Sequence, residues 1–189
     1  MAIGGCDHPV LDAFVFSDQH GAGGRTVIAV ALFHLAGFHQ GFDAALIAIQ
    51  AKQLGLNVPL FGGDGWESEK LTEIGKESVE GHYFSTHYSP EVGSDMSKQF
   101  VENYRKRWNG KNPDALAACG YDSALVLVDA IKRAGTTEGA KVREALAATK
   151  DFKAVTGNIT INAQRDASKA AVILQVKDGK FKYLETVEP

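Results

Sequence analysis

A carboxylate among glycines is the first group in this sequence that suggests chemistry. Residues 58–68 read VPLFGGDGWES, so Asp64 lies between Gly63 and Gly65 and just before the indole of Trp66. Glycines let a backbone approach a ligand, a carboxylate can pair with an ammonium group, and an indole can form an apolar wall. Asp-Gly is also a common turn dipeptide, so the spacing alone leaves a binding loop and a plain turn both open.

The other residues that could do chemistry match no catalytic or metal-binding motif. His34 and His39 are close in sequence, as are His82 and His87, but neither pair has a zinc spacing such as HExxH. The GAGG run at residues 21–24 lacks the Gly-Lys-Ser/Thr end of a phosphate loop. No Gly-x-Ser-x-Gly elbow occurs. We therefore expect no metal, no cofactor and no catalytic residue.

Composition excludes several classes of protein. The chain has 189 residues, 44% of them hydrophobic and 23% charged, with a net charge of −3 spread along the sequence. Nucleic acid is therefore not an expected partner. The longest apolar run, residues 27–33, is far shorter than the roughly 18 residues of a membrane span, and residues 1–10 do not read as a signal peptide. Cys6 and Cys119 form no motif, and the sequence leaves their pairing open.

The elements that would position the 58–68 loop alternate between strand and helix. The apolar run at residues 27–33 predicts a strand of a parallel sheet, and Asp43 is expected to cap a helix that Gly55 ends. The strand NVPLF, residues 57–61, then leads into the loop. Strand, helix and strand at this spacing predict a βαβ unit. Because open α/β sheets bind ligands at the carboxyl ends of their strands, the loop is suitably placed.

Downstream of the loop, the sequence predicts helices and then a hairpin. Ser68 and Ser94 are each placed to cap a helix, and a long helix is predicted over residues 114–134 with Gly135 as its stop. A shorter helix and three strands follow, the last two joined by a tight turn at Asp178 and Gly179.

Two apolar patterns in these helices predict core packing. Met96, Phe100, Tyr104 and Trp108 recur every four residues on one helical face. The run ALVLVDAI, residues 124–131, is expected to be the most buried stretch of the long helix.

Taken in order, several segments resemble the C-terminal half of a type I periplasmic solute-binding protein. They are ALIAIQAKQLGLNVPLFGGDGWES, VEGHYFSTHYSPE, FVENYRKRW, ACGYDSALVLVDAIKRAG, REALAAT and VTGNITINAQRDASKAAVILQVKDGKFKYLETV, which span roughly residues 43–187. Within that family they are most similar to the branched-chain amino-acid receptors of ABC importers.

The resemblance implies an α/β fold. The expected architecture is a flavodoxin-like, three-layer lobe around a parallel sheet, together with part of a second lobe. Residues 27–87 and 169–189 would form the ligand-binding lobe two, and residues 88–168 the helical part of lobe one. Residues 1–26 match nothing in the family and are predicted to be an irregular or foreign segment.

The resemblance also implies a non-enzymatic receptor that closes around a small amino acid or a related amide and delivers it to an ABC permease in the periplasm. Family members carry an acidic residue where Asp64 stands, and it holds the ligand's ammonium group. Tyr121 would face the cleft and Tyr88 lies at a crossover, although buried tyrosines are also common core residues. The candidate ligand-binding residues are Gly63, Asp64, Gly65, Trp66, Tyr88 and Tyr121.

The sequence departs from the family pattern in length and near its start. It is about half as long as such a receptor, and Gln40 or His39 stands where the family has a tyrosine. We therefore expect binding to be weak, on the order of millimolar or weaker, or absent. We also expect a homodimer, with exchange of elements between copies as one route, because uncovered apolar sheet edges favour association.

Two other functions remain open from the sequence. The same fold could serve as a cytoplasmic sensor of amino acids or amides. An enzyme on a flavodoxin-like sheet could use Asp64 as an acid or metal ligand, which requires a second titratable group nearby. Only Glu67 and Glu69 are close to it in sequence.

Overall fold

The computed structural model describes residues 40–188, together with the backbone of two strands that precede them. These strands, β1 (Ala13–Ser17) and β2 (Thr26–Val30), pair antiparallel. The parallel pairing predicted for residues 27–33 is therefore wrong, because a short apolar run does not distinguish the two kinds of neighbour. Strand β1 lies inside the segment predicted to be irregular. Cys6, His34 and His39 lie outside the described residues.

The chain divides into two compact units. Unit 1 comprises Met1–Ser85 and Gln175–Phe181, and unit 2 comprises Thr86–Leu174 and Lys182–Pro189. The further elements, in chain order, are α1 (Gly41–Gln53), β3 (Phe61–Gly62), α2 (Glu69–Gly75), β4 (Tyr83–Thr86), α3 (Asp95–Arg107), α4 (Ala115–Ala134), α5 (Gly139–Ala147), β5 (Phe152–Ala154), β6 (Gly157–Ile161), β7 (Ala167–Ser168), β8 (Ala171–Lys177) and β9 (Lys180–Val187). None of the helices in the described part of the chain is long and apolar enough to cross a membrane.

Helix α1 begins earlier than the sequence predicts. Its N-cap is Gln40, which makes no side-chain capping bond, and Asp43 lies within the first turn. The predicted Asp43 cap is therefore wrong, but the carboxylate still lies near the positive end of the helix dipole. Gly55 follows the helix with φ +77°, a left-handed conformation that favours glycine.

The sheet of unit 1 places the loop that follows β3. The strand order is β3-β4-β8-β9, and β3 runs parallel to β4 with Phe61 opposite Tyr83. Strands β8 and β9 contribute residues to both units and are joined at Asp178 and Gly179, both with positive φ. The predicted tight turn is thus confirmed. Leu71, Val79 and Phe84 have no exposed surface and form the centre of the unit 1 core.

Helices α3 and α4 of unit 2 begin where the sequence predicts, and α4 also ends as predicted. Ser94 accepts a hydrogen bond from the Ser97 N–H at the start of α3, and Asp114 accepts one from the Ala117 N–H at the start of α4. Gly135 ends α4 with φ +65°. Strands β5, β6 and β7 form an antiparallel sheet. One buried cluster of unit 2 contains Phe100 and Val101 of α3 and Ala115 and Ala118 of α4, together with Tyr88 and Val155.

The two apolar patterns that predicted core packing in α3 and α4 are only partly buried. Phe100 is 9% exposed, but Met96 is 45% and Trp108 is 53% exposed at the two ends of α3. In α4, Leu127 and Val128 are 44% and 49% exposed. The prediction that residues 124–131 are the most buried part of α4 is therefore wrong, because α4 packs through a single face.

Candidate functional site

The loop after β3 presents a carboxylate on a single helical turn. The strand ends at Gly62, and Asp64–Trp66 form a 3-10 turn directly afterwards. The backbone N–H of Trp66 donates to the Gly63 carbonyl at 3.0 Å, and the backbone N–H of Glu67 donates to the Asp64 carbonyl at 3.0 Å. Asp64 is exposed, whereas Gly63, Gly65 and Trp66 are half-buried. These hydrogen bonds thus fix the backbone of the loop, and Asp64 is its exposed residue.

Gly62 has a packing role that the sequence did not reveal. A β-carbon at position 62 would overlap the indole ring of Trp66, so the ring lies directly on the Gly62 backbone. A β-carbon at Gly63 would have no atom within 4 Å. The approach to the loop is therefore open at Gly63 and occupied at Gly62. Glycine at position 62 leaves the space that the Trp66 ring occupies.

The far end of the loop is anchored by α2. The Ser68 side chain accepts a hydrogen bond from the Lys70 N–H at 3.3 Å, which confirms the predicted cap. Ser68 also donates its N–H to the Trp66 carbonyl at 2.7 Å. Leu71 in the first turns of α2 is fully buried. Both ends of the loop are thus tied to packed elements, which limits the positions Asp64 can take.

The candidate Tyr88 is a packed side chain of unit 2. It is 2% exposed, and its hydroxyl accepts a hydrogen bond from the Ser97 hydroxyl at 3.1 Å. Its ring meets the edge of Phe100, with centroids 6.4 Å apart. Burial raises the pKa of the Tyr88 hydroxyl above its usual range. These contacts are those of a core residue.

The candidate Tyr121 is held by the same phenylalanine but is accessible. Its ring centroid is 4.9 Å from that of Phe100, and the side chain is 47% exposed. The structure therefore brings Tyr88 and Tyr121 together around Phe100 in unit 2. The four loop candidates are contiguous in unit 1.

A second carboxylate, which the sequence did not single out, lies inside unit 2. Asp122 is 2% exposed, and its two oxygens accept hydrogen bonds from the N–H groups of Val155 and Thr156, each at 2.8 Å. It therefore joins α4 to the turn between β5 and β6. The available signal was its spacing, since Asp122 is four residues from both Ala118 and Val126 on the buried face of α4.

A half-buried lysine and a buried histidine also lie in the described part of the chain. Lys169 donates to the His87 carbonyl at 2.7 Å, and burial lowers the pKa of its ammonium group. His82 is 9% exposed, its Nδ1 has no hydrogen-bond partner, and burial lowers its pKa. His82 borders a cavity of about 700 Å³ in unit 1. Within residues 40–188, no three His, Cys, Asp or Glu side chains form a group that could hold a metal ion.

Comparison with protein families identifies the class of protein. The family model described as "Periplasmic binding protein" matches residues 34–180. Because the match covers most of the sequence, the chain belongs to this family of periplasmic binding proteins. The predicted α/β fold and the predicted family are both confirmed.

Individual relatives are binding proteins for branched-chain amino acids. The chain is 29% identical over 147 residues to a Leu/Ile/Val-binding protein homolog of Brucella abortus, and the alignment covers 76% of this chain and 39% of the relative. Among solved structures, the leucine-binding protein LivK of Thermotoga maritima matches with 40% identity and a TM-score of 0.74, covering 79% of this chain and 43% of LivK. LivJ of Streptococcus pneumoniae, solved with isoleucine, matches with 32% identity and a TM-score of 0.69, with the same coverage. The chain thus spans about two fifths of the length of these relatives.

Proposed function

We propose that this chain binds a branched-chain amino acid, or a closely related small polar solute, as part of an ABC-type importer in the periplasm. The observation that carries the proposal is the exposed Asp64 carboxylate on a fixed turn at the end of a strand in a parallel pair. The names of the relatives, which include leucine-binding and Leu/Ile/Val-binding proteins, support this class of ligand. The proposal includes no catalytic step.

Asp64 has the charge to hold the ammonium group of an amino acid. A charge-assisted hydrogen bond between a carboxylate and an ammonium group is stronger than a neutral one, and it also selects against ligands without the cation. Gly63 leaves room for the ligand to approach the backbone, since no atom lies near a β-carbon built there. Gly65, on the other side of Asp64, adds no side chain to the loop. Trp66, fixed on Gly62, offers an apolar surface beside the carboxylate.

The two tyrosines of unit 2 are part of the proposal on the strength of the family resemblance. Tyr121 is the better candidate because its ring is accessible and is held in place by Phe100. Tyr88, whose hydroxyl accepts a hydrogen bond from Ser97, would act indirectly, by packing against the Phe100 ring that holds Tyr121. We further propose the lobe assignment given above, with residues 27–87 and 169–189 as the ligand-binding lobe.

Titration of the full chain with leucine, isoleucine and valine tests the proposal. Chemical-shift perturbation in NMR is suited to it because the method detects millimolar affinity. The variant Asp64→Asn keeps the shape of the side chain and removes its charge, and it should raise Kd by about ten- to thirtyfold. Glu69→Gln, which neutralises another exposed carboxylate five residues away, should leave Kd unchanged.

A ligand analogue isolates the role of the ammonium group. N-acetyl-leucine has no ammonium charge, so it should bind the unaltered chain and Asp64→Asn with similar, weak affinity. A loss of affinity in Asp64→Asn that is equally large for N-acetyl-leucine would show that Asp64 acts through the loop structure and would contradict the assignment. Absence of any shift with the three amino acids would reject the ligand class.

We also propose that the chain forms a homodimer. The apolar side chains Leu116, Leu127 and Val128 of α4 are 77%, 44% and 49% exposed, which is the kind of surface that association covers. Sedimentation velocity over a range of concentrations measures the oligomeric state. A single monomeric species at every concentration would contradict it.

A further inference from the structure

Trp66 connects the turn that carries Asp64 to the strand that precedes it. Its backbone N–H donates to the Gly63 carbonyl at 3.0 Å, a bond that spans Asp64, and its carbonyl accepts the Ser68 N–H at 2.7 Å. Its indole ring lies on the Gly62 backbone, in the space that a β-carbon at position 62 would take. The two hydrogen bonds stay within the loop, whereas the indole reaches back to β3. The ring contact therefore links the turn to the sheet.

The strand under the indole is held by the core of unit 1. Gly62 is paired with Phe84 where β3 and β4 run parallel. Phe84 has no exposed surface, and its ring meets Phe181 edge-on with centroids 5.0 Å apart. The Gly62 backbone is therefore a rigid surface, so crowding between the strand and the ring displaces Trp66.

Asp64 lies midway between the two residues that make this contact. It is two residues from Gly62 and two from Trp66, on a 3-10 turn of three residues. A displaced indole moves the Trp66 backbone, and the hydrogen bond from its N–H to Gly63 passes that movement across Asp64. A charge-assisted hydrogen bond depends on distance and angle, so a displaced carboxylate holds an ammonium group less well.

We propose that the contact between the Trp66 indole and the Gly62 backbone positions the Asp64 carboxylate for the ammonium group of an amino acid. Gly62 is then a positioning residue, which acts on the ligand through Trp66 and Asp64. The inference rests on the ligand class proposed above. It adds the contact that sets the preference for ligands with an ammonium group over ligands without one.

Titration of the full chain and of Gly62→Ala with leucine and with N-acetyl-leucine, followed by NMR, tests the positioning role. The added methyl group keeps the charge of Asp64 and displaces the indole. It should raise the Kd for leucine by about three- to tenfold. The Kd for N-acetyl-leucine, which has no ammonium group for Asp64 to hold, should stay within about twofold. The ratio of the two Kd values is the readout, because a general loss of stability does not change it.

Gly75→Ala is the matched control. Gly75 ends α2 with φ −70°, which suits alanine, and a β-carbon there would overlap the buried side chain of Val79. The variant therefore makes the same substitution in the same unit and also crowds a packed side chain. Because Gly75 lies outside the loop, the Kd for each ligand should stay within about twofold. Urea unfolding establishes that both variants are folded and how far each is destabilised.

Amide hydrogen exchange without ligand measures the turn directly. The N–H groups of Trp66 and Glu67 close the turn, so they exchange when it opens. Gly62→Ala should raise both exchange rates by about tenfold. Gly75→Ala should leave them within about twofold, because the residue it crowds is not part of the turn.

The outcomes separate this inference from the ligand class on which it rests. An equal rise in the Kd for leucine and N-acetyl-leucine in Gly62→Ala overturns the positioning role, because the effect then does not pass through the ammonium contact. An unchanged Kd for leucine, unchanged exchange rates, or an equal loss of leucine affinity in Gly75→Ala also overturns it, and each leaves the ligand class intact. If leucine causes no shift in the unaltered chain, the ligand class and the positioning role both fail.

Discussion

Two aspartates of this chain, one in each unit, show how surroundings decide what a carboxylate does. Asp122 is 2% exposed and uses both oxygens to accept backbone N–H groups of a neighbouring turn. Asp64 is exposed on a turn that is held by other hydrogen bonds. Asp122 therefore stabilises the fold, since removing its carboxylate would leave these backbone N–H donors without acceptors. Asp64 contributes a negative charge at the surface, on a turn that its own backbone hydrogen bonds hold.

Removing the buried carboxylate should have the largest effect on stability. Asp122→Ala leaves the N–H groups of Val155 and Thr156 without their acceptors, and we expect a loss of about 3 kcal/mol in the free energy of unfolding. Urea unfolding followed by circular dichroism, at one fixed protein concentration, measures it. Asp129→Ala, on the same helix, removes a half-exposed ion pair with Arg133 and should cost less than about 1 kcal/mol. Equal losses in the two variants would refute the structural role assigned to Asp122.

Disturbing the packing of Trp66 on Gly62 should have the next largest effect on the free energy of unfolding. Gly62→Ala places a methyl group in the volume of the indole, so the ring must move, at a cost of about 2 kcal/mol. Tryptophan fluorescence should shift with the change in its environment. Gly63→Ala is the control, because its φ of −92° suits alanine and a methyl group there meets no atom within 4 Å. We expect its stability to change by less than about 0.5 kcal/mol. If Gly63→Ala is the more damaging change, the packing assigned to the loop is incorrect.

The sequence predicted best where a local interaction decides the structure. Ser68 and Ser94 cap helices as predicted because a side-chain oxygen needs only the N–H two or three residues ahead of it. The turn at Asp178 and Gly179 is local in the same way. By contrast, the buried or exposed state of Leu127 depends on which elements cover α4, and no pattern within the helix contains that information.

The same distinction between local interactions and contacts with distant residues applies to the candidate site. The place of Asp64 after a parallel strand was predictable, since apolar runs and glycines mark the strand and its end. The role of Gly62 was not, because it depends on where the Trp66 ring falls. Tyr88 and Tyr121 look alike in sequence, yet one is 2% and the other 47% exposed through their different positions around Phe100. The carboxylate of Asp122 was missed because its partners lie more than thirty residues away.

A buried base in unit 1 makes stability depend on pH. Burial lowers the pKa of His82 in the folded state. In the unfolded chain the same imidazole has its ordinary pKa of about 6.5, so it takes up a proton at higher pH than in the folded state. The unfolded state therefore binds more protons below that pH, and the free energy of unfolding falls as the pH drops through this value towards the lower folded pKa. Urea unfolding at about pH 7.5 and about pH 5.5 should show a decrease on the order of 1 kcal/mol. His82→Gln should reduce the decrease, and an unchanged pH dependence in that variant would assign it to other groups.

The smallest stability change is expected at the exposed carboxylate, and it completes the comparison with Asp122. Asp64→Asn keeps the shape of the side chain, and the loop backbone is fixed by the N–H groups of Trp66 and Glu67 bonding to carbonyls of the same turn. The free energy of unfolding should therefore change by less than about 0.5 kcal/mol, as for most surface substitutions. The measurement is the same urea titration used for Asp122→Ala. A loss above about 1 kcal/mol would mean that the carboxylate supports the loop. Weakened ligand binding in Asp64→Asn would then have a structural explanation, and the assignment of the ammonium contact would rest on the N-acetyl-leucine comparison alone.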